Sequence, residues 1–322
     1  MILGKKIVYG AIFCISLSGC GGGSGGDGVT LGTTGLTYTG LTTQASLTTG
    51  NGEQISTRSY KNGGSGQGMG TIFTGLNEVD AELGKPWALI LAKTLVAAVN
   101  KIEPANSDEF FTGAVVTESD SFDGSCGGNA SFTMAIDDET GDFNGSMTFN
   151  RYCESEEIIN GSITLSGSFN AGVFSSMTMA MTSVSVTSGS DTVWMDGTLS
   201  FNPSATTSVI TMNMKLKAGG SSEVFWMESF TLTIAAGAGG DDLTMAGRFY
   251  HPSYGYVNIT TPTAFHYTGS NQYPFPGTMV AAGSNGSVVT LVSLSTTVYQ
   301  ISIDTDGDGN FEQIDNGLWA EL

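Results

Sequence analysis

From about residue 110 to the C-terminus, apolar and polar residues alternate with a period of two. FNGSMTFN (143–150), NGSITLSGSFN (160–170), MDGTLSFN (195–202) and VITMNMKLK (209–217) show the pattern, with Ser, Thr, Asn and Lys between the apolar positions. Alternation puts one set on each face of a pleated strand. These runs therefore predict antiparallel strands with one buried and one wet face. On the order of a dozen strands follow one another with turn residues between them. A meander of that size twists, curls or closes. The predicted fold is mainly β, a large antiparallel meander forming a strongly curved sheet or open barrel, with one apolar helix packed on its concave face. A β-sandwich is the alternative. The short N/D-G-S/T echo in these runs keeps no fixed period, so it does not indicate a solenoid.

Helical periodicity occurs in one strong stretch, near 78–103, EVDAELGKPWALILAKTLVAAVNKIE. Acids lie early and Lys101 late, as the helix dipole favours, and Pro86 suits a first turn or splits the segment. From Trp87 to Ile102 it is apolar nearly all round, which describes a buried helix. Its length and Lys93 argue against a membrane span. Residues 36–48 are compatible with one or two short strands, and 61–70, KNGGSGQGMG, with a glycine-rich joint. The predicted organisation is residues 1–19 as a signal peptide and 20–35 as a tether. Residues 36–109 carry N-terminal strands, the joint and the apolar helix, and 110–322 the antiparallel β domain.

The first twenty residues, MILGKKIVYGAIFCISLSGC, change the picture. Lys5 and Lys6 precede a short apolar run, and Leu17-Ser18-Gly19-Cys20 resembles a bacterial lipobox. The resemblance implies cleavage before Cys20 and a thiol that carries diacylglycerol, with acyl chains such as palmitate. The GGGSGGDG stretch that follows suits a flexible tether, and multiple acyl chains anchor stably. By resemblance to lipoprotein sorting signals, Gly21 rather than Asp at the next position implies the outer membrane rather than the inner. Cleavage removes Lys5, Lys6 and no acid, so the formal charge goes from −19 to −21, with 9 basic against 30 acidic residues. That balance excludes a general nucleic-acid binder and disfavours electrostatic docking on anionic lipid. The membrane partner is reached through the lipid anchor. A transmembrane barrel is disfavoured by the Thr/Ser/Asn face, since such barrels turn an apolar band outward.

Of four cysteines, Cys14 is expected to leave with the signal and Cys20 to be lipidated. Cys126 and Cys153 flank two alternating runs around DDETGD. Centring the hairpin between Glu139 and Thr140 sets Ile136 opposite Phe143, Phe132 opposite Met147, and Cys126 opposite Cys153. An exported chain permits the bridge, so a Cys126–Cys153 disulfide is predicted.

Candidate chemistry is sparse. HExxH, phosphate-loop and dinucleotide motifs do not occur. A GxSxG match, Gly22–Gly26, lies in the tether without the strand and helix a nucleophile elbow needs. Asp137-Asp138 and Glu156-Glu157 fall at predicted turns and read as hydrophilic turns. The expectation is a non-enzymatic protein. DTDGDGNFEQID (304–315) has calcium-loop spacing: Asp304, Asp306, Asp308, Asn310, Glu312 and Asp315 as ligands, with Gly309 at the sharp turn. The flanks read as strands rather than helices, so the expected cofactor is a structural calcium on a hairpin, and the alternative is an ion-free Asp/Gly turn. GRFYHPSYGYVNITTPTAFHY (247–267) gathers aromatics, with Tyr250, His251, Tyr254 and Tyr256 as candidate ligand-binding residues or as a structured turn. Met134, Met147, Met177, Met179, Met181, Met195, Met212, Met214, Met227 and Met245 lie on the strands, several in phase with the apolar face. They form an adaptable core or the wall of a greasy cavity.

From about 120 onward the chain resembles uncharacterised bacterial lipoproteins that pair a YHPxYGYV–TP stretch with a C-terminal DTDGDG loop. That resemblance implies an envelope protein and lends no activity. Three functions stay open: a structural or adhesive envelope lipoprotein, a carrier or sensor of a lipid-like ligand, and a carbohydrate-binding domain. The corresponding partner is an envelope protein, a lipid or a glycan.

Overall fold

The computed structural model describes residues 35–64, 115–137, 139–154, 156–170, 173–204, 206–237, 239–268, 271 and 273–322. The stretch read as a signal peptide and lipobox, the tether as far as residue 34, and the apolar segment near 78–103 lie outside them. Helix α1 (Gly52–Gly64) precedes the strands β1 (Val115–Asp123), β2 (Asn129–Asp137), β3 (Asp142–Glu154), β4 (Glu157–Asn170), β5 (Val173–Ser188), β6 (Asp191–Pro203), β7 (Thr207–Ala218) and β8 (Phe225–Gly237). There follow β9 (Gly240–His251), β10 (Gly255–Thr263), β11 (Phe265–Thr268), β12 (Thr278–Ala282), β13 (Val288–Ser293), β14 (Val298–Asp304) and β15 (Gln313–Leu318). All fifteen strands form one antiparallel sheet in chain order, open between β1 and β15. The single departure is β11, which returns to pair with β9.

The period-two pattern is the physical basis of this sheet. In β7, Ile210, Met212, Met214 and Leu216 are buried while the residues between them are not. Burying each such side chain is worth about 1.5–3 kcal/mol, so a one-residue slip is costly. Bulges shift the phase in a controlled way. In β8 the buried positions jump from Met227 to Phe230, beside the register shift between Glu228 and Thr231. The same occurs between Phe149 and Tyr152 and between Met181 and Val184. Each bulge adds twist and bends its strand. Two glycines of the sequence echo, Gly161 and Gly197, lie along this crease. Gly161 has φ +113°, and a Cβ there would stand 2.6 Å from the Ser183 carbonyl oxygen. Gly197 has φ +127°, and its Cβ would stand 2.1 Å from that of Asn213. At these two positions the echo is the trace of bends that only glycine allows.

β2 and β3 pair as Ile136 with Phe143 and Phe132 with Met147. The Cys126–Cys153 disulfide closes the open end of that hairpin, with the Cα atoms 5.1 Å apart. Cys126 itself sits in the β1–β2 turn, where its N–H donates to the Cys153 carbonyl at 3.3 Å.

Helix α1 takes in Lys61–Gly64, the first part of the stretch read as a joint, as its last turn, and 65–70 lie outside the described residues. Its buried positions, Gly52, Ile55, Ser56, Ser59, Tyr60 and Gly63, recur at helical spacing. Gly52 seats on Val289 and Ile303, and Gly63 on the Phe230 ring. The helix thus lies across the strands from β13–β14 to β8–β9. Its ~20 Å length matches the ~24 Å breadth of those strands. Tyr60 joins it to the core through Tyr267, hydroxyl to hydroxyl at 2.7 Å, and through rings of Phe265 and Trp319. Burial pushes the Tyr60 hydroxyl well above its ordinary pKa and that of Tyr267 up to about 12.

The stretch 36–48 bends at Gly40 and Thr43 and contributes only an isolated parallel bridge, Gln44 with Tyr256. It replaces β12 beside β10 beyond Ala282: the Tyr256 N–H donates to Thr43, and Ala45 and Ser284 N–H groups continue the ladder.

Candidate metal centre

Strand β14 ends at Asp304 and β15 begins at Gln313. Between them the chain folds around its own carboxylates. Asp304 is buried at 5% exposure. Its Oδ1 accepts the Gly307 N–H at 2.6 Å and its Oδ2 the Gly309 N–H at 2.9 Å. Gly307 and Gly309 have φ +79° and +88°, so the turns around the buried carboxylate need them. Asp306 Oδ1 accepts the Asp308 N–H at 3.2 Å, and Glu312 Oε2 the Thr305 N–H at 2.6 Å. The Glu312 N–H donates to the Ile303 carbonyl at 2.9 Å and closes the hairpin. Asp308 accepts both the backbone and the side-chain N–H of Asn310. These bonds, the backbone one first, hold the Asp308 carboxyl below its usual range and so keep it ionised at neutral pH.

The result is four acids, Asp304, Asp306, Asp308 and Glu312, each offering an oxygen within 4.8 Å of the others. Among the described residues no Lys or Arg forms an ion pair with them. An all-oxygen, acceptor-only set of this density can hold a metal ion, and it suits a hard cation. Of the six expected ligands, Asn310 turns its amide N–H toward Asp308, leaving its carbonyl as the group it can offer. Asp315 stands apart from the four. It lies on β15 opposite Ile301 and accepts from Gln313 Nε2. The spacing rule assumes a helix after the loop, and here a strand leaves instead.

Tyr250, His251, Tyr254 and Tyr256 gather at the β9–β10 turn, as the sequence suggests, and much of their surface is spent on packing. Tyr250 is buried, stacks on Trp226 at 4.3 Å, and donates to Glu228 Oε2 at 2.8 Å. Arg248 binds the same Glu228 at 3.1 Å and lies over the Tyr256 ring at 4.9 Å. The turn also grips the N-terminal segment. Pro252 accepts the Leu41 N–H at 3.0 Å, and the Tyr38 hydroxyl donates to the Leu41 and His251 carbonyls. Burial, then Tyr250, pushes the Tyr38 hydroxyl up to about 12. His251 is buried, with Nδ1 accepting the Ser253 N–H at 3.2 Å and Nε2 without a hydrogen-bond partner.

Two features escape a one-dimensional reading. His266 Nδ1 and Asp242 Oδ1 meet at 2.7 Å across β11 and β9; no local motif links residues that far apart. An open groove of about 470 Å³ crosses the wet face of β2–β5, lined by Thr133, Asn144, Ser146, Thr164, Ser166 and Thr178 among others. Neighbouring hydroxyls on this face bond one another, as Thr178 with Ser200 and Thr148 with Ser162. The methionines face the other way: Met147, Met179, Met195, Met212, Met214, Met227 and Met245 are all within 1% of full burial.

Compared with protein-family models, curated proteins and solved structures, the chain matches none.

Proposed function

We propose that this protein is an outer-membrane lipoprotein with a non-enzymatic structural or adhesive role in the envelope, its last strands clamped by calcium. The observation that carries the reading is the four-acid loop at the β14–β15 turn. It offers oxygen alone, matches calcium preference, and joins two strands rather than opening onto a reactive cleft. The lipobox ending at Cys20 supports the anchor. Calcium titration calorimetry on the purified chain tests the clamp. Binding in the weak extracellular range, with Kd of roughly 10⁻⁴–10⁻³ M, is expected, and Asp306→Asn with Asp308→Asn should abolish it. Equal heats from the wild type and the double variant would refute it. Cys20→Ser should release the protein from membranes, and unchanged retention would refute the anchor.

The wet-face groove favours a second reading, a carbohydrate-binding surface. Its lining of hydroxyls and one amide, set among Ala135, Leu165 and Ala180, carries no charge within a strongly acidic chain, which suits a neutral oligosaccharide better than an ion. Neutral glycan binding that weakens in Thr164→Val would support this reading over the purely structural one.

A further inference from the structure

The sheet has two free edges among the described residues, and they are built differently. Strand β1, VVTESDSFD, carries Asp120 and Asp123. Charges along an edge deter other strands from pairing with it. Strand β15, QIDNGL, has neither Lys nor Pro, and it exposes Ile314 at 55% and Leu318 at 47%. Ile314, Asn316 and Leu318 share one face, opposite Ser302, Gln300 and Val298 of β14. An unguarded edge with an apolar row is a template for another strand.

The strand's own sequence selects the occupant. We propose that β15 pairs antiparallel with β15 of a second copy of this chain, about a two-fold axis at Asn316. In that register Asn316 faces Asn316 of the second copy, and Ile314 faces its Leu318. Asp315 then faces Gly317, so the strand's one charge meets no like charge. Moving the axis to Asp315 sets carboxylate against carboxylate and Ile314 against Asn316, which is destabilising on both counts. Moving it to Gly317 sets Leu318 against Asn316 and carries Ile314 past the end of the partner strand. Registers of odd offset put apolar residues on opposite faces. One register thus satisfies every position from Ile314 to Leu318. The contact is isologous, as a two-fold dimer requires, and small enough to be weak and reversible.

Cysteine cross-linking in cells expressing the full chain tests this, read on non-reducing gels with mass determination. Residues facing each other across an antiparallel pair have Cα atoms ~4.5–5.5 Å apart, within disulfide reach. Under mild oxidation Asn316→Cys should give a covalent species of twice the chain mass. Gln300→Cys, one strand inward on the same face, should not, and neither should the wild type. The Ile314→Cys, Leu318→Cys double variant should give the same dimer through two off-axis bridges, which keeps the test readable if one variant folds poorly. Adding Ile314→Lys to Asn316→Cys should cut the yield at least about fivefold, since two apolar pairs are lost. Absence of dimer from both cysteine designs would overturn the proposal. So would equal cross-linking through Gln300→Cys, or an adduct of any mass other than two chains.

Discussion

His251 is a buried imidazole with one nitrogen satisfied and the other alone. Burial, more than any charge, lowers its pKa below 6.5; Glu223 works against that shift and Arg58 with it. The rings of Phe225 and Tyr254 pack on it. The unfolded chain therefore binds the proton more readily than the folded one. Stability is complete above the unfolded pKa near 6.5 and falls as the pH drops below it. Urea titrations at pH 7.5 and 5.5 should show that loss in the wild type and a smaller one in His251→Asn, whose oxygen can still accept the Ser253 N–H. Equal losses would show that His251 is not the responsible group. At this scale the sequence was partly legible. The disulfide could be placed because its register follows from apolar alternation. Asp315 could not, because ligand spacing says nothing about which way the chain leaves the loop. The orphaned Nε2 depends on burial, which no local pattern carries.

The strands were easy to find and helix α1 was not, for one physical reason. Strand positions are marked by large apolar side chains. The buried stripe of α1 includes Gly52, Ser56, Ser59 and Gly63, which fit close to a crowded sheet and leave no hydrophobic signal. Gly63 shows how close the fit is, since a Cβ there would stand 2.6 Å from the Phe230 ring. Gly63→Val should destabilise the protein by about 1–3 kcal/mol, read as a lower urea midpoint. A midpoint equal to the wild type's would mean the helix rides free of β8. The β1–β3 region gives a second element-scale test. The bridge joins residues 27 apart, a loop length for which chain entropy predicts about 3.5 kcal/mol. Cys126→Ser with Cys153→Ser should lower stability by that order, and an unchanged melt would leave the bridge without a structural role.

For the molecule as a whole, the acidic loop and the open sheet act together. Asp304 closes β14 at the end of the ladder, and Glu312 ties the loop back to Ile303 through its N–H. A cation there would hold β15 in place. Calcium at about one hundred times its Kd should add ~2.7 kcal/mol, seen as a rise in melting temperature that a chelator reverses. Asp306→Asn should remove the rise without lowering the metal-free melt. The meander was legible because each strand pairs with the next in the chain. The N-terminal segment was not, because its partners lie far downstream: Tyr38 bonds His251 across 213 residues, and Gln44 bonds Ala282 across 238. That separation sets an order of events. As the chain is made, hairpins from β1 onward can close one after another as each pair of strands becomes available. The first segment must wait for β10, β12 and their turns. The segment made first finds its partners only once the chain has reached Ser284, and α1 finds Val289 and Ile303 later still, so the face it covers on β8–β14 is completed after most of the hairpins have closed.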